Sequence, residues 1–430
     1  MSQALLSYEE AAAVVLDYAA LLRERAPALE RVDLAVATGR TLAKVLRADR
    51  DQPAFARSTR DGFACRAEEA RSHEPLRVAG STRAGQPPSG PLPRGAALEI
   101  MTGAPVPDGA DAVMMIEHVE AAEGRVRLLP PRVLEAGENI VAQGAQAHAG
   151  EELLPAGTTM GAGQIALAAS CGLTALDVCR RPRVAIVSTG DELVPVEREP
   201  GPGQIRNSSS PMLAAMVAAA GAEPWILPTA ADDEQALDAV LAQAATAEAI
   251  TDLVLVTGGV SAGKFDLVEP ALARAGARFE FTGVRVQPGK PLVFAEMPRG
   301  EGANTSIDTQ RRALPLFGLP GNPVSSAVTF LLFAAPVIAA LGGRVEIGPR
   351  FALAQLSKTP ERRAKGGLTR FLPALCTFGA RPGSMPEVAP VSWQGSGDLA
   401  ALGRCNCFMV LDDDDSRVPE AGGDVRILLI

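Results

Sequence analysis

Residues 252–266 read DLVLVTGGVSAGKFD, and no other stretch restricts the fold as much. The unbroken apolar, β-branched run at 253–256 predicts a strand buried on both faces, as in a parallel sheet covered by helices. It breaks at Thr257-Gly258-Gly259, where absent side chains let backbone approach a ligand. Ser261, Lys264 and Asp266 follow at once, so a hydroxyl, a cation and a carboxylate gather where open α/β sheets hold ligands. Gly258, Gly263 and Lys264 have P-loop spacing, but Phe265 stands where that loop needs a hydroxyl for magnesium. A P-loop NTPase is therefore disfavoured.

The surrounding pattern agrees with a parallel α/β domain. Strands are expected at 184–188, 225–227, 253–256 and 314–317, and helices at 210–220, 233–245, 267–275 and from 324 onward. The first strand runs into Ser188-Thr189-Gly190-Asp191-Glu192, repeating the strand-then-glycine-then-acid order. If the two strands are parallel, Glu192 and Asp266 lie at the same end of the sheet and together suit a Mg²⁺ ion bridging a pyrophosphate. Helix capping is the alternative role for each acid. Two stiff segments, Gln287-Pro288-Gly289-Lys290-Pro291 and residues 318–325 (GLPGNPVS), either hold Lys290 and Ser325 as fixed donors to an oxyanion or are simply tight turns.

Elsewhere the chain changes character. Ser7 and Glu10 have capping-box spacing at the start of an amphipathic helix, and residues 34–46 read as a strand passing through Gly39 into a helix. Residues 47–144 are rich in Pro, Gly and short β-like runs, and residues 150–178 return to helix. From 345 onward short strands predict a small closed β domain, with Cys405 and Cys407 on one strand face. Six scattered cysteines and three distant histidines make no zinc pattern. A net charge of −9 and only 4% aromatic residues argue against nucleic-acid binding. The amino terminus lacks signal-peptide features and the greasiest run, 327–341, contains Pro336 and falls short of the ~20 residues a bilayer span needs. No membrane association and a cytoplasmic location are the expectation.

Six motifs, in order along the chain, resemble those of the molybdopterin molybdenumtransferase family, which includes the carboxy-terminal domain of gephyrin: PAFARSTRDGFA (53–64), IMTGAPVPDGAD (100–111), STGDEL (188–193), TGGVSAGKFD (257–266), PGKP (288–291) and GLPGNPVS (318–325). The resemblance implies a multidomain α/β chain: a discontinuous helical domain (1–46 and 145–179), an inserted β lobe (47–144), a molybdopterin-binding parallel α/β domain (180–343) and a small carboxy-terminal β domain (344–430), assembled as a homodimer. It implies Mg²⁺-dependent insertion of molybdate into adenylylated molybdopterin with release of AMP. Position by position it implies catalytic roles for Asp61, Thr102, Glu192, Asp232 and Asp266, with Glu192 and Asp266 as metal ligands and Asp233 as the neighbour with which Asp232 can be confused. Thr189, Gly190, Gly258, Gly259, Ser261, Lys290, Pro291, Pro320, Pro323, Ser325 and Ser396 are the implied substrate contacts.

The chain also departs from the family pattern. Family acids are replaced by Ala145 and Gln146, a Lys by Gln287, and an expected Arg by Pro373, with Arg370 nearby as a possible substitute. Lost charge at such positions keeps two other readings open, a non-catalytic pterin-binding scaffold and delivery of tungstate.

Overall fold

A computed structural model describes residues 5–24, 27–87, 90–246, 250–260, 267–299, 313–360, 367–379, 383–412 and 420–430. Helix α1 (Tyr8–Glu24) begins with the expected capping box: the Ser7 amide donates to Glu10 Oε2 (2.7 Å) and the Glu10 amide to Ser7 Oγ (3.1 Å). Its buried stripe of Tyr8, Ala11, Val15, Ala19 and Leu22 follows the helical period. That stripe packs into the same core as Val184, Leu255 and Phe333, so α1 lies against the central domain.

Residues 34–46 differ from expectation. Leu34–Val36 is a single 3-10 turn, Gly39 takes a positive φ of 75°, and Thr41 and Leu42 form β-bridges to Thr159 and Val178. The helix expected after Gly39 is not formed; Leu42 and Leu46, four apart, are both buried on one side of extended chain, a spacing that a helix face and a strand face share. Leu29–Asp33 pairs with Ala175–Cys179, and around helix α2 (Ala162–Ser170) the two chain segments share a core of Leu42, Leu46, Met160 and Val178. Between them the lobe forms a six-stranded sheet: β1 (Gly62–Cys65), β2 (Leu76–Thr82), β3 (Ala96–Ile100), β4 (Ala112–Met115), β5 (Val119–Ala122) and β6 (Arg125–Leu128), in the order β4-β1-β3-β2-β6-β5.

The central sheet contains β7 (Arg183–Ser188), β10 (Glu223–Ile226), β11 (Leu253–Thr257), β12 (Arg278–Thr282), β14 (Val293–Pro298) and β15 (Ala313–Leu319), in the order β10-β7-β11-β15-β14-β12. The first four are parallel, with Val184 opposite Leu253 and Ser188 opposite Thr257. β14 runs antiparallel to both β15 and β12, so the sheet is mixed at this edge, which corrects the expectation of a parallel domain. A hairpin here needs no crossover helix, so spacing between helices could not announce it. Helices α3 (Ser209–Ala219), α4 (Glu234–Ala245) and α5 (Val268–Arg274) flank the sheet. β8 (Leu193–Val194) and β9 (Ile205–Arg206) form a short parallel pair beside the end of β7.

Pro323–Leu341 is the one helix among the described residues long and apolar enough to cross a membrane, yet 89% of its apolar window is buried inside the protein. It divides into α6 (Pro323–Thr329), a π-helical turn (Phe330–Ala334) and α7 (Ala335–Leu341). The wider turn accommodates Pro336, which has no amide to donate and would crowd the preceding carbonyls of a regular α-helix.

The carboxy-terminal strands β16 (Phe351–Leu356), β17 (Thr369–Thr377), β18 (Glu387–Pro390), β19 (Cys407–Leu411) and β20 (Asp424–Leu429) close into a barrel through the β17–β19 pairing. Strand β13 (Val286–Gln287), from the central domain, pairs with the start of β17 and ties the two domains together. Cys405 caps the carboxyl end of helix α8 (Leu399–Arg404) while Cys407 opens β19, so the two do not share a strand.

Candidate functional site

Three loops leave the carboxyl ends of adjacent strands β7, β11 and β15 and meet backbone to backbone. Gly258 has φ 98°, and a Cβ there would stand 2.4 Å from the Thr189 carbonyl oxygen; one added to Gly321 would stand 3.4 Å from Gly258 Cα. Thr257 Oγ1 donates to the Pro320 carbonyl (3.2 Å) and the Thr189 amide to the Thr257 carbonyl (3.0 Å). Glycine is required for this contact, since a side chain would separate the loops.

These loops floor a cleft of about 890 Å³. Thr189, Gly190, Glu192, Asp232, Gly258 and Gly259 line one part of it, and Lys290, Pro291, Pro320, Pro323, Ser325 and Ser396 line another. Sheet order separates the two. Glu192 and Asp232 follow β7 and β10, whereas Ser325 follows β15 and Lys290 precedes β14. The acids Glu192 and Asp232 therefore lie at one end, together with Arg206, and Lys290 lies with Ser325 and Ser396 at the other. Ser396 arrives from the barrel side, where its Oγ accepts from Asn322 Nδ2 (3.0 Å) and its carbonyl from the Val324 amide (3.0 Å).

Geometry separates the adjacent acids. Asp233 caps α4, accepting from the amides of Gln235 (2.7 Å) and Ala236 (3.1 Å). Asp232 instead lines the cleft and accepts from Thr189 Oγ1 (2.8 Å), while its own amide donates to Asp191 Oδ1 (3.0 Å). Ser261 and Asp266 lie outside the described residues. Asp61 and Thr102 are together in the β lobe, exposed and not among the residues lining this cleft within one chain.

The Thr102 amide (2.7 Å) and hydroxyl (2.8 Å) both donate to Asp61 Oδ1 and hold its carboxyl below the usual range, the amide contributing most. For a depressed carboxylate the stabilisation is complete above the unfolded value of about 3.9 and is lost as pH falls through the folded one. Thr102→Ala keeps the amide and is expected to raise the Asp61 midpoint part of the way toward ~3.9 in a carboxyl-carbon NMR titration. An unmoved midpoint would remove the hydroxyl from this account.

Sequence reasoning missed Arg206, Ser208, Ser209 and Trp393, all of which line the cleft. Arg206 is held by Nε donation to the Val196 carbonyl (3.0 Å). Beneath it Asn207, buried, donates from Nδ2 to Ser210 Oγ (3.0 Å) and Thr229 Oγ1 (3.2 Å) and accepts from the Ser210 amide (3.1 Å). This network joins the β9 loop, the start of α3 and the loop leading to Asp232. The turn-forming GPG at 201–203 followed by NSSS before an apolar helix was the available signal.

Of the departures, Gln287 lines the cleft and its buried Oε1 has no hydrogen-bond partner among the described residues. Pro373 is buried in β17 and is not a lining residue. Ala145 and Gln146 lie in the loop before residue 150, where the amide of Gln146 donates to the Gln52 carbonyl.

Fold and cleft together define a multidomain α/β protein with an open cleft across the strand ends, where such sheets hold ligands, with Glu192 and Asp232 at one end and Lys290 with hydroxyls at the other. Residues 6–172 match the family model for the MoeA N-terminal region (domain I and II), and residues 185–340 that for a probable molybdopterin binding domain. The molybdopterin molybdenumtransferases of Nostoc sp. and Bacillus subtilis are each 35% identical to the chain, over 93% and 91% of its length and 88% and 87% of theirs. The chain belongs to the molybdopterin molybdenumtransferase family. The crystal structure of a molybdopterin biosynthesis MoeA protein from Pyrococcus horikoshii OT3 aligns with a TM-score of 0.77 at 27% identity, covering 99% of this chain and 100% of that one.

Proposed function

We propose that the protein inserts molybdate into adenylylated molybdopterin and releases AMP, a transferase step of molybdenum cofactor biosynthesis. The observation that carries this reading is the two-ended cleft. A substrate with a pyrophosphate-linked nucleotide at one end and an oxyanion-accepting dithiolene at the other matches its placement of Glu192, Asp232 and Arg206 at one end and Lys290 with two hydroxyls at the other. Lys290 supplies positive charge to the oxyanion, and the Ser325 and Ser396 hydroxyls supply directional hydrogen bonds. Holding both reactants in one cleft replaces a bimolecular encounter by a positioned one.

Glu192 and Asp232 are a suitable donor set for Mg²⁺ arriving with a pyrophosphate, since that ion usually takes one or two carboxylates and completes its shell with phosphate oxygens and water. No closed cluster of three or more metal-binding side chains exists among the described residues. Bound there, the ion would offset phosphate charge as the anhydride breaks. Asp266, the second metal ligand expected from sequence, is retained in this proposal.

The exposed Asp61–Thr102 pair is proposed to complete the site across a homodimer, which is why it stands apart from the cleft of a single chain. Purified protein supplied with Mg²⁺, adenylylated molybdopterin and molybdate is expected to release AMP in a molybdate-dependent manner. Release no greater than that of a protein-free control would sink the enzymatic reading and favour a binding scaffold. Substituting tungstate in the same assay separates the two oxyanions.

A further inference from the structure

The chain has two tryptophans. Trp225 is occupied away from the cleft, with the Arg183 guanidinium carbon 4.4 Å from its ring centre. Trp393 lines the cleft and is its only aromatic side chain among the described residues. It is half-buried, packed against both the core shared by α1 and the central sheet and the core of the barrel.

Its loop is braced on both sides. The Val391 amide donates to the Pro373 carbonyl (2.9 Å), and the Gln394 amide to Asp398 Oδ2 (3.0 Å). Asp398 Oδ1 also accepts from the Ala401 amide (2.9 Å). Three residues beyond Trp393, Ser396 is bonded to the loop after β15 as described above. The backbone carrying the ring is fixed by these bonds, and packing against two cores restricts the side chain, so little freedom is left to lose when a ligand arrives.

Besides glycine, proline, serine and lysine, the lining on this side offers only aliphatic apolar side chains such as Val286, Leu368 and Leu399, none of which presents a flat π face. We propose that Trp393 is a substrate-binding residue that stacks on the fused bicyclic ring of the pterin. The inference rests on the molybdopterin reading given under Proposed function. The pterin is favoured over adenine because Trp393 neighbours Ser396, at the end of the cleft with Ser325 and Lys290, whereas the acids assigned to the nucleotide pyrophosphate follow β7 and β10. Stacking tolerates ring substituents, since any flat heterocycle presents a π face.

The test is calorimetric titration of 6-hydroxymethylpterin and, separately, AMP into the full-length protein, Trp393→Phe and Trp393→Leu, with thermal melting as a folding control. The Leu variant is expected to bind the pterin about tenfold more weakly, about 1.4 kcal/mol. The Phe variant is expected to stay within about threefold of the parent, and AMP affinity to be unchanged in all three. Emission of the bound pterin is expected to be quenched by the indole in the parent and recovered in both variants at saturation, so the Phe variant carries the test if the Leu variant melts early.

Unchanged pterin affinity together with unchanged bound-pterin emission would overturn the proposal while leaving the molybdopterin reading intact. Loss of AMP affinity in place of pterin affinity would also overturn it, assigning the ring to adenine. Pterin binding to none of the three proteins would overturn the molybdopterin reading and this inference together.

Discussion

Glu192→Ala is expected to lower AMP release by roughly 100-fold or more, the scale seen when one positioned charge group is taken from a reaction site. Glu192 follows β7 directly, and its carbonyl is fixed by the Ile205 amide (2.8 Å). Its carboxylate lies over Gly190, where a Cβ would come within 2.6 Å of Oε2, so the glycine makes room for the acid. The side chain is exposed and makes no hydrogen bond or ion pair among the described residues. Nothing in the fold depends on it. The melting curve should be unchanged, and Glu192→Gln, which keeps shape and removes charge, should lose most of the same activity. A folded Ala variant with full turnover would remove Glu192 from the mechanism.

Gly258→Ala should act in the opposite way, through the fold. The added Cβ would meet the Thr189 carbonyl oxygen at 2.4 Å, and that oxygen belongs to backbone that cannot rotate aside. A φ of 98° is also unfavourable for any L side chain. The loops after β7 and β11 must separate, at a cost of ~2–4 kcal/mol. Gly259→Ala is expected to be milder, because its nearest contacts are the Thr189 and Val268 methyl groups at 3.2 and 3.3 Å and its φ is 61°. Urea unfolding of the two variants checks the order; equal stability for Gly258→Ala and the parent would contradict the backbone contact.

Features carried by local chemistry were legible beforehand. The Ser7–Glu10 box, the strands before STGDE and TGG, and the short strands of the barrel each follow from periodicity, glycine placement or capping within a few residues. The helix expected after Gly39 is absent because Thr41 and Leu42 bridge to Thr159 and Val178, more than a hundred residues away, and that pairing holds the chain extended. The β12–β14 edge was missed because a reading based on alternating strands and helices expects crossovers, and a hairpin has none. Trp393 escaped because the cores it packs against and the contacts that brace its loop, Pro373 to Val391 and the loop after β15 to Ser396, come from other elements.

By itself the sequence determined the family and the chemistry available at each strand end, since motif spacing and residue type act locally along the chain. Tertiary structure decided which of two adjacent acids faces the cleft: Asp233 is taken by the amides of α4, leaving Asp232 for Thr189. It also decided that β7, β11 and β15 are neighbours, that the barrel contributes Ser396 and Trp393 to the same cleft, and that Glu192 and Lys290 occupy different ends of it. These are consequences of strand order and domain packing, set by burial of apolar faces from distant parts of the chain, and no local spacing encodes them.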